Sequence, residues 1–374
     1  AYNVIVTVVT GEASVSGGGG VFTYSVDGGH TTSAQIAIPT GGSYVIPGTG
    51  ITLVFAGSST AFDAGDVFTF ATTAPAYNST DATNAFTAAF ADQRTWKFAV
   101  LVGAASAASG SATIASTLDS LFQGAAAAFR YTRVLMQCAD DTDANIVTAF
   151  ANFASATGRV AVCAGYDDQQ NLLSGRTMKR GAVGVIAQRL MTARLAEDPG
   201  RVASGPLSGV SKLYRDEAAT PALNAARCMT LRTIINKTGF YVTSGKTMAA
   251  AGSDYAYIPN GIVMDKICAA ARGVLVNELN NDLNVNDNTV QSPLVAGAID
   301  ELEARRIEKA AVAAIRAAVG NNASGIKVRI SRTTNLLTTS TLNVQVRATP
   351  KGYARAIDVD LGFSSPFFTL STAA

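Results

Sequence analysis

Histidine is almost missing from this sequence: His30 is the only one among 374 residues. Histidine is the usual general base and metal ligand near neutral pH, so its scarcity argues against Ser-His-Asp, Cys-His and multi-histidine metal chemistry. Cysteine is scarce as well. Cys138, Cys163, Cys228 and Cys268 stand far apart in apolar surroundings with no CxxC pair. That excludes a disulfide framework and a structural zinc site, and it suits buried thiols in a reducing compartment. Charged residues make up only 15%, and 29 basic against 27 acidic residues leave a net charge of +2. Such a balance excludes nucleic acid or an acidic membrane as the default partner. No run approaches the roughly 18 to 20 consecutive apolar residues of a membrane span, and no basic stretch followed by an apolar core opens the chain. The sequence reads as soluble, without a signal peptide and without direct membrane insertion.

What is present is small and apolar. Hydrophobic residues reach 48%, much of it alanine, beside 34 glycines. At roughly 100 to 200 residues per domain the length predicts two or three well-formed cores. The predicted fold class is an α/β (α+β) core, its parallel sheet flanked by helices, with a C-terminal antiparallel sheet and a separate N-terminal all-β module. The boundaries are placed at 1–75, 76–235 and 236–374.

Residues 1–75 are rich in Gly, Thr, Ser and Val. Asn3 to Thr10 alternates, Val21 to Val26 follows the glycines 17 to 20, and Asp27-Gly28-Gly29 supplies the positive-φ residues of a tight turn. Further strands are expected over Ser43 to Ile46, Ile51 to Phe55 and Val67 to Ala71. Turn signals about 8 to 12 residues apart suit a sandwich or small barrel.

From Asn78 the pattern changes to alternating helix and strand. Ser79 or Thr80 can cap a helix through Gln93, and Trp96 to Val102 reads as a buried parallel strand. Helices are expected over Ala112 to Phe129, Asp143 to Ala156 and Ala182 to Ala196, with strands over Thr132 to Cys138 and Arg159 to Ala164. A hairpin over Ile234 to Met248 should turn near Lys237-Thr238-Gly239. Two long helices follow. Met264, Ile267, Cys268, Ala271, Val274, Leu275 and Leu279 form the apolar stripe of the first. Ser292 and Pro293 start the second, which carries an i,i+4 pair between Glu301 and Arg305.

The last segment alternates most cleanly. Ile326, Val328 and Ile330 alternate with Lys327 and Arg329; Leu342, Val344 and Val346 with Asn343, Gln345 and Arg347; Ile357, Val359 and Leu361 with Asp358 and Asp360. One face is dry and one wet. The wet face is basic on two strands and acidic on the third, which suits either cross-strand pairing within the chain or complementarity to another chain.

Three motifs bear on chemistry. Ser244-Gly245-Lys246-Thr247 resembles the end of a phosphate-binding loop, yet Phe240 stands where its first glycine belongs, so a strand end with an exposed lysine competes with it. Gly103 to Gly110 is placed like a dinucleotide fingerprint but lacks the middle glycine, which favours an ordinary βα loop. Asp140, Asp141 and Asp143 follow one expected strand and Asp167 and Asp168 the next, at the carboxyl ends where open α/β sheets bind ligands. These five acids are the candidate Mg²⁺ site for phosphoryl chemistry. The competing reading has Asp141 to Asp143 capping the following helix. No basic stripe with interleaved aromatics occurs, so single-stranded nucleic acid has no platform.

Gly239 to Met248, Gly252-Ser253-Asp254-Tyr255 and Ile258-Pro259-Asn260-Gly261-Ile262-Val263-Met264-Asp265, in that order, resemble the contractile tail sheath proteins of myophages. The stretches Phe22 to Gly29, Ile46 to Ile51 and Gly65 to Phe70 are similar to the β-domain that many sheaths insert before their α/β core. The resemblance implies a structural subunit without catalytic, cofactor or metal sites, polymerising helically around an inner tail tube protein and contracting to drive it through the host envelope. It further implies partners at the baseplate and the tail terminator, a place in the virion after assembly in the host cytoplasm, and no nucleic-acid partner. Terminal arms would donate strands to neighbours. Ile326, Val328, Ile330, Leu342, Val344, Val346, Ile357, Val359, Leu361 and Phe363 are then the expected inter-subunit strand contacts, and a chain ending after Ser340 should stay folded but fail to polymerise. The sequence opens at Ala1 already inside the β pattern, so either the N-terminal arm is short or residues precede Ala1. An Mg²⁺-dependent phosphotransferase and a glycan-binding β-domain on an α/β scaffold are the readings from other classes.

Overall fold

The computed structural model describes residues 2–11, 19–55, 62–72, 76–92, 94–170, 177–218, 222–287 and 295–355. These fall into two compact units, Ala1–Ala76 and Tyr77–Ala374. In the first, β1 (Asn3–Thr10), β2 (Val21–Ser25), β3 (Ile36–Ala37) and β6 (Val67–Ala71) form an antiparallel sheet in the order β3-β2-β1-β6, while β4 (Ser43–Val45) and β5 (Thr52–Val54) form a hairpin. Alternation in β1 buries Val4, Val6 and Val8. Phe22 on β2 meets Tyr44 and Phe55 with ring centroids at 5.4 and 4.8 Å, so the hairpin lies over the sheet as a second layer. Gly28 and Gly29 take φ of 75° and 91°, as the turn after β2 requires.

The second unit opens with α1 (Ser79–Ala91), β7 (Ala99–Leu101), α2 (Ala108–Ala127), β8 (Val134–Gln137), α3 (Asp143–Phe150) and β9 (Val160–Cys163). The strands are parallel in the order β7-β8-β9. Both faces of β8 and β9 are buried, which is why they read as unbroken apolar runs. On one face Ile114, Leu118 and Phe122 of α2 meet Val134, Met136, Val160 and Val162. Asn78, not Ser79 or Thr80, caps α1, in a reciprocal box with Asp81. β7 is shorter than expected, because Trp96 stacks on Phe90 at 5.4 Å and Lys97 Nζ donates to Leu190 O at 3.0 Å.

Beyond β9 lie β10 (Tyr166–Gln170), β11 (Thr177–Gly181), α4 (Val183–Thr192), β12 (Val210–Leu213), β13 (Leu231–Ile234) and β14 (Lys237–Val242). β10 is the centre of an antiparallel sheet, β11-β10-β12. The β13–β14 turn is at Ile235 and Asn236, where Asn236 takes φ of 62°; Lys237 to Gly239 lie inside β14. The 235/236 boundary therefore falls in the turn of a hairpin within one compact unit.

The chain continues through α5 (Ile258–Leu275), α6 (Glu301–Val319), β15 (Gly325–Ile330) and β16 (Val344–Thr349). Val263, Ile267 and Ala271 of α5 pack on Ala311, Ile315 and Val319 of α6 and on Val328. The buried stripe of α5 is rotated from the expected one: Met264 and Cys268 are half-buried and Leu279 is exposed. Asp265 turns inward on the buried side, and it fixes that rotation. It takes Arg133 Nε at 2.8 Å and Arg159 Nη1 at 2.6 Å, in a buried ion triad. Asp300 caps α6, accepting from Leu302 N–H at 2.8 Å; Ser292 and Pro293 lie outside the described residues. The Glu301–Arg305 pair closes at 2.6 Å. No helix among the described residues is long and apolar enough to cross a membrane.

Candidate functional site

The five aspartates do not assemble as a metal site. Asp140 pairs with Lys179 Nζ and lies 3.8 Å from Arg215, and Asp143 accepts from Arg215 Nε at 2.8 Å. Arg215 also donates to the carbonyls of Asp141 and of Ala164, the latter at 3.1 Å. A guanidinium thus occupies the carboxyl end of the parallel sheet. Asp141 caps α2, not α3: it accepts from Ala108 N–H at 3.1 Å, Thr142 N–H at 2.8 Å and Asn145 Nδ2 at 2.7 Å. Those bonds, Asn145 foremost, hold its pKa below the ordinary carboxylate value. Thr142 is the cap of α3. Asp167 and Asp168 stand inside β10, on opposite faces of that strand. Asp168 accepts from the Tyr214 hydroxyl at 2.8 Å. Asp167 is fully buried, with Oδ1 on Gln169 at 2.7 Å and Oδ2 without a partner, and burial raises its pKa. Among the described residues no three His, Cys, Asp or Glu side chains gather as metal ligands. The strand order β7-β8-β9 also has no reversal, and hence no crevice of the kind that receives ligands in doubly wound sheets.

The other two motifs are consumed internally. Gly245 N–H points at Asp198, Ser244 Oγ accepts from Asn224 Nδ2 at 2.8 Å, and Thr247 Oγ1 donates to Tyr255 O at 2.6 Å. Lys246 is half-buried instead of exposed, its Nζ on Asn224 O at 2.6 Å. Gly103, with φ of 97°, offers its carbonyl to the Tyr77 hydroxyl at 3.1 Å.

Among the described residues β15 and β16 form a two-stranded sheet with a charged outer face. β15 and β16 pair antiparallel, with Ile326 opposite Ala348, Val328 opposite Val346 and Ile330 opposite Val344. These side chains form the dry face, packed on α5 and α6. Leu342 precedes β16 and packs beside Ile330. The six expected contact residues from Ile326 to Val346 therefore spend their side chains on packing within the chain. Ile357, Val359, Leu361 and Phe363 lie outside the described residues. On the wet face Lys327 stands directly opposite Arg347, and Arg329 opposite Gln345. Lys309 and Arg316 of α6 share the same groove. None of these five cations has a carboxylate partner among the described residues; the groove's one acid, Glu308, is held by Arg332 and Ile330 N–H. Sheet alternation made the two faces legible in the sequence. The Lys327–Arg347 register was not, because pairing offset depends on the connection between strands.

A β-rich unit and an α/β unit, the latter with a two-stranded β15–β16 ribbon among its described residues, define a mixed α/β protein. Residues 6–246 match the N-terminal domain of DUF2586 and residues 254–368 its C-terminal domain. The chain belongs to the DUF2586 family. No curated protein matches it. Among solved structures it is similar to a chain of the anti-feeding prophage baseplate, with 15% identity and a TM-score of 0.45, over 68% of this chain and 66% of that one. It is also similar to the sheath tail protein of Desulfitobacterium hafniense, with 10% identity and a TM-score of 0.40, over 93% of this chain and 76% of that one. The chain spans just under two thirds of the length of the first.

Proposed function

We propose that this chain is the structural subunit of a contractile tail sheath, which polymerises helically around an inner tube and contracts to drive that tube through a host envelope. The observation that carries this reading is the β15–β16 ribbon. Among the described residues the ribbon has only two strands, so each keeps one edge without a β partner, and like charges directly opposite one another weaken a pair. A strand added by a neighbouring copy would complete the edge hydrogen bonds, and carboxylates at alternate positions would answer Lys327 and Arg347. The sequence Ile357-Asp358-Val359-Asp360-Leu361 has that alternation, which supports it as the donated strand.

Contraction on this reading is a rigid-body change between two packings of the same subunits, with the strand joints kept. A difference of about 1 to 3 kcal/mol per subunit, the scale of an ordinary coupling energy, sums over many copies to large work. The tube protein, baseplate and terminator are the partners, and the β-rich unit is an external decoration. Negative-stain microscopy of the purified full chain tests the proposal: tubes or rings are expected, and a monodisperse monomer that binds Mg²⁺ or sugar overturns it.

A further inference from the structure

A second basic site lies apart from the ribbon's wet face. A cleft of about 890 Å³ gathers Arg194, Arg201, Arg232, Lys246, Lys351 and Arg355 around two carboxylates, Glu197 and Asp198. Both carboxylates are already spent. Glu197 holds Arg201 at 3.2 Å and takes the Ser204 hydroxyl, while Asp198 holds Arg355 at 2.8 Å and accepts from Gly200 N–H at 2.8 Å. Arg194, Arg232, Lys246 and Lys351 make no close ion pair among the described residues, although the Glu217 carboxylate acts on Lys246 from a distance. Arg232 Nε is moreover buried with no hydrogen-bond partner, a rare and costly condition in a folded protein. Burial first, and then the neighbouring Arg355 charge, pull the pKa of Lys246 down, against a smaller upward pull from Glu217.

The chemistry of the walls narrows the ligand. Volume is in the range of small-molecule sites, roughly 300 to 1,000 Å³. The Tyr257 ring is already covered by the Arg355 guanidinium, 3.8 Å from its centroid, which takes up a ring that could have stacked a nucleobase. Gly245 N–H is engaged by Asp198, so recognition falls to side chains and not to a backbone cradle. Four cations without a close ion pair in one cleft call for several negative charges on one compact ligand, and guanidinium forks match phosphate oxygens. We propose that this cleft binds a multivalent small anion of the oligophosphate class, held by Arg194, Arg232, Lys246 and Lys351. The site is independent of the sheath reading, since all its residues come from one chain.

Isothermal titration of the purified full chain with tripolyphosphate, at fixed ionic strength, tests this. Saturable 1:1 binding is expected, at least about tenfold tighter than for orthophosphate. Arg232→Gln and the surface variant Lys351→Gln should each weaken it by about tenfold, the scale of one charge-assisted contact. Lys309→Gln, in the ribbon groove, should leave it unchanged. Absence of saturable binding, equal loss in Lys309→Gln, or tighter binding of citrate than of tripolyphosphate would overturn the proposal. Each arm is read on one preparation whose assembly state is checked by sedimentation, so its outcome is separable from that of the assembly test.

Discussion

Arg133 and Gly261 occupy adjoining space so closely that a Cβ on Gly261 would overlap the Arg133 guanidinium. Glycine inside a helix costs roughly 1 kcal/mol relative to alanine. α5 tolerates it because the buried guanidinium passes there on its way to Asp265, donating also to Gly158 O at 2.7 Å. The Ile258 to Asp265 stretch thus holds both the gap and the counter-charge for one buried cation.

Gly261→Ala should therefore destabilise the second unit by about 1 to 3 kcal/mol, as overpacking of a filled site does. Asp265→Asn, which leaves Arg133 and Arg159 buried without their carboxylate, should cost about 3 to 5 kcal/mol. Urea unfolding of each variant against the parent chain measures both. A loss below 1 kcal/mol in either would contradict the triad's role.

Arg215→Gln is expected to lower stability by about 1 to 3 kcal/mol, through the strand-end carbonyls and the Asp143 contact it abandons. With the guanidinium in place, 10 mM-scale Mg²⁺, on the order of a weak-site concentration, should not raise the melting temperature of the parent chain. A clear Mg²⁺-dependent rise there would restore the metal reading of Asp140 and Asp143.

Arg347→Glu separates folding from assembly. Opposite Lys327 it replaces a repulsion with an attraction, so the isolated subunit should gain roughly 0.2 to 1 kcal/mol. The same change removes a cation from the wet face and should reduce polymer formation, read by sedimentation. A variant that polymerises as well as the parent would show that this face meets no acidic neighbour.

Two carboxylates should give opposite pH signatures. Hydrogen bonds from Arg332 and then Arg305 push Glu301 down to about 2. Its contribution is fully present above its ordinary value near 4.5 and lost as pH falls toward 2, so the stability gap between parent and Glu301→Gln should close over that interval. Asp167 has a raised pKa through burial. Its contribution is present below the ordinary carboxylate pKa and lost as pH rises through the folded value. Asp167→Asn should accordingly stabilise the chain near pH 7, and that gain should fade in acid. Denaturant midpoints across pH 2 to 7 test both signs.

Burial on both faces made β8 and β9 plain in the sequence, and alternation made β1 and β15 plain. β10 and β11 were missed because Asp167, Asp168, Gln169, Lys179 and Arg180 carry no apolar alternation; their sheet is held by register and by long-range polar partners such as Tyr214. The aspartates were legible as a cluster along the chain. Their neutralisation by Lys179 and Arg215, distant in sequence, was not, since ion pairing across a fold leaves no local pattern. Alternation marked Val344 and Val346 as part of a dry face, but not that they and Ala348 complete the core over Val328. A chain ending after Ser340 would lose that cover, which corrects the expectation that it remains folded.

The direct test is therefore a chain ending at Arg355, imaged beside the full chain by cryo-electron microscopy. The full chain should form tubes in which a strand from an adjacent copy extends the β15–β16 sheet, and the shortened chain should stay folded and monomeric. Tubes from the shortened chain, or an assembly in which no neighbouring copy touches that sheet, would contradict the account.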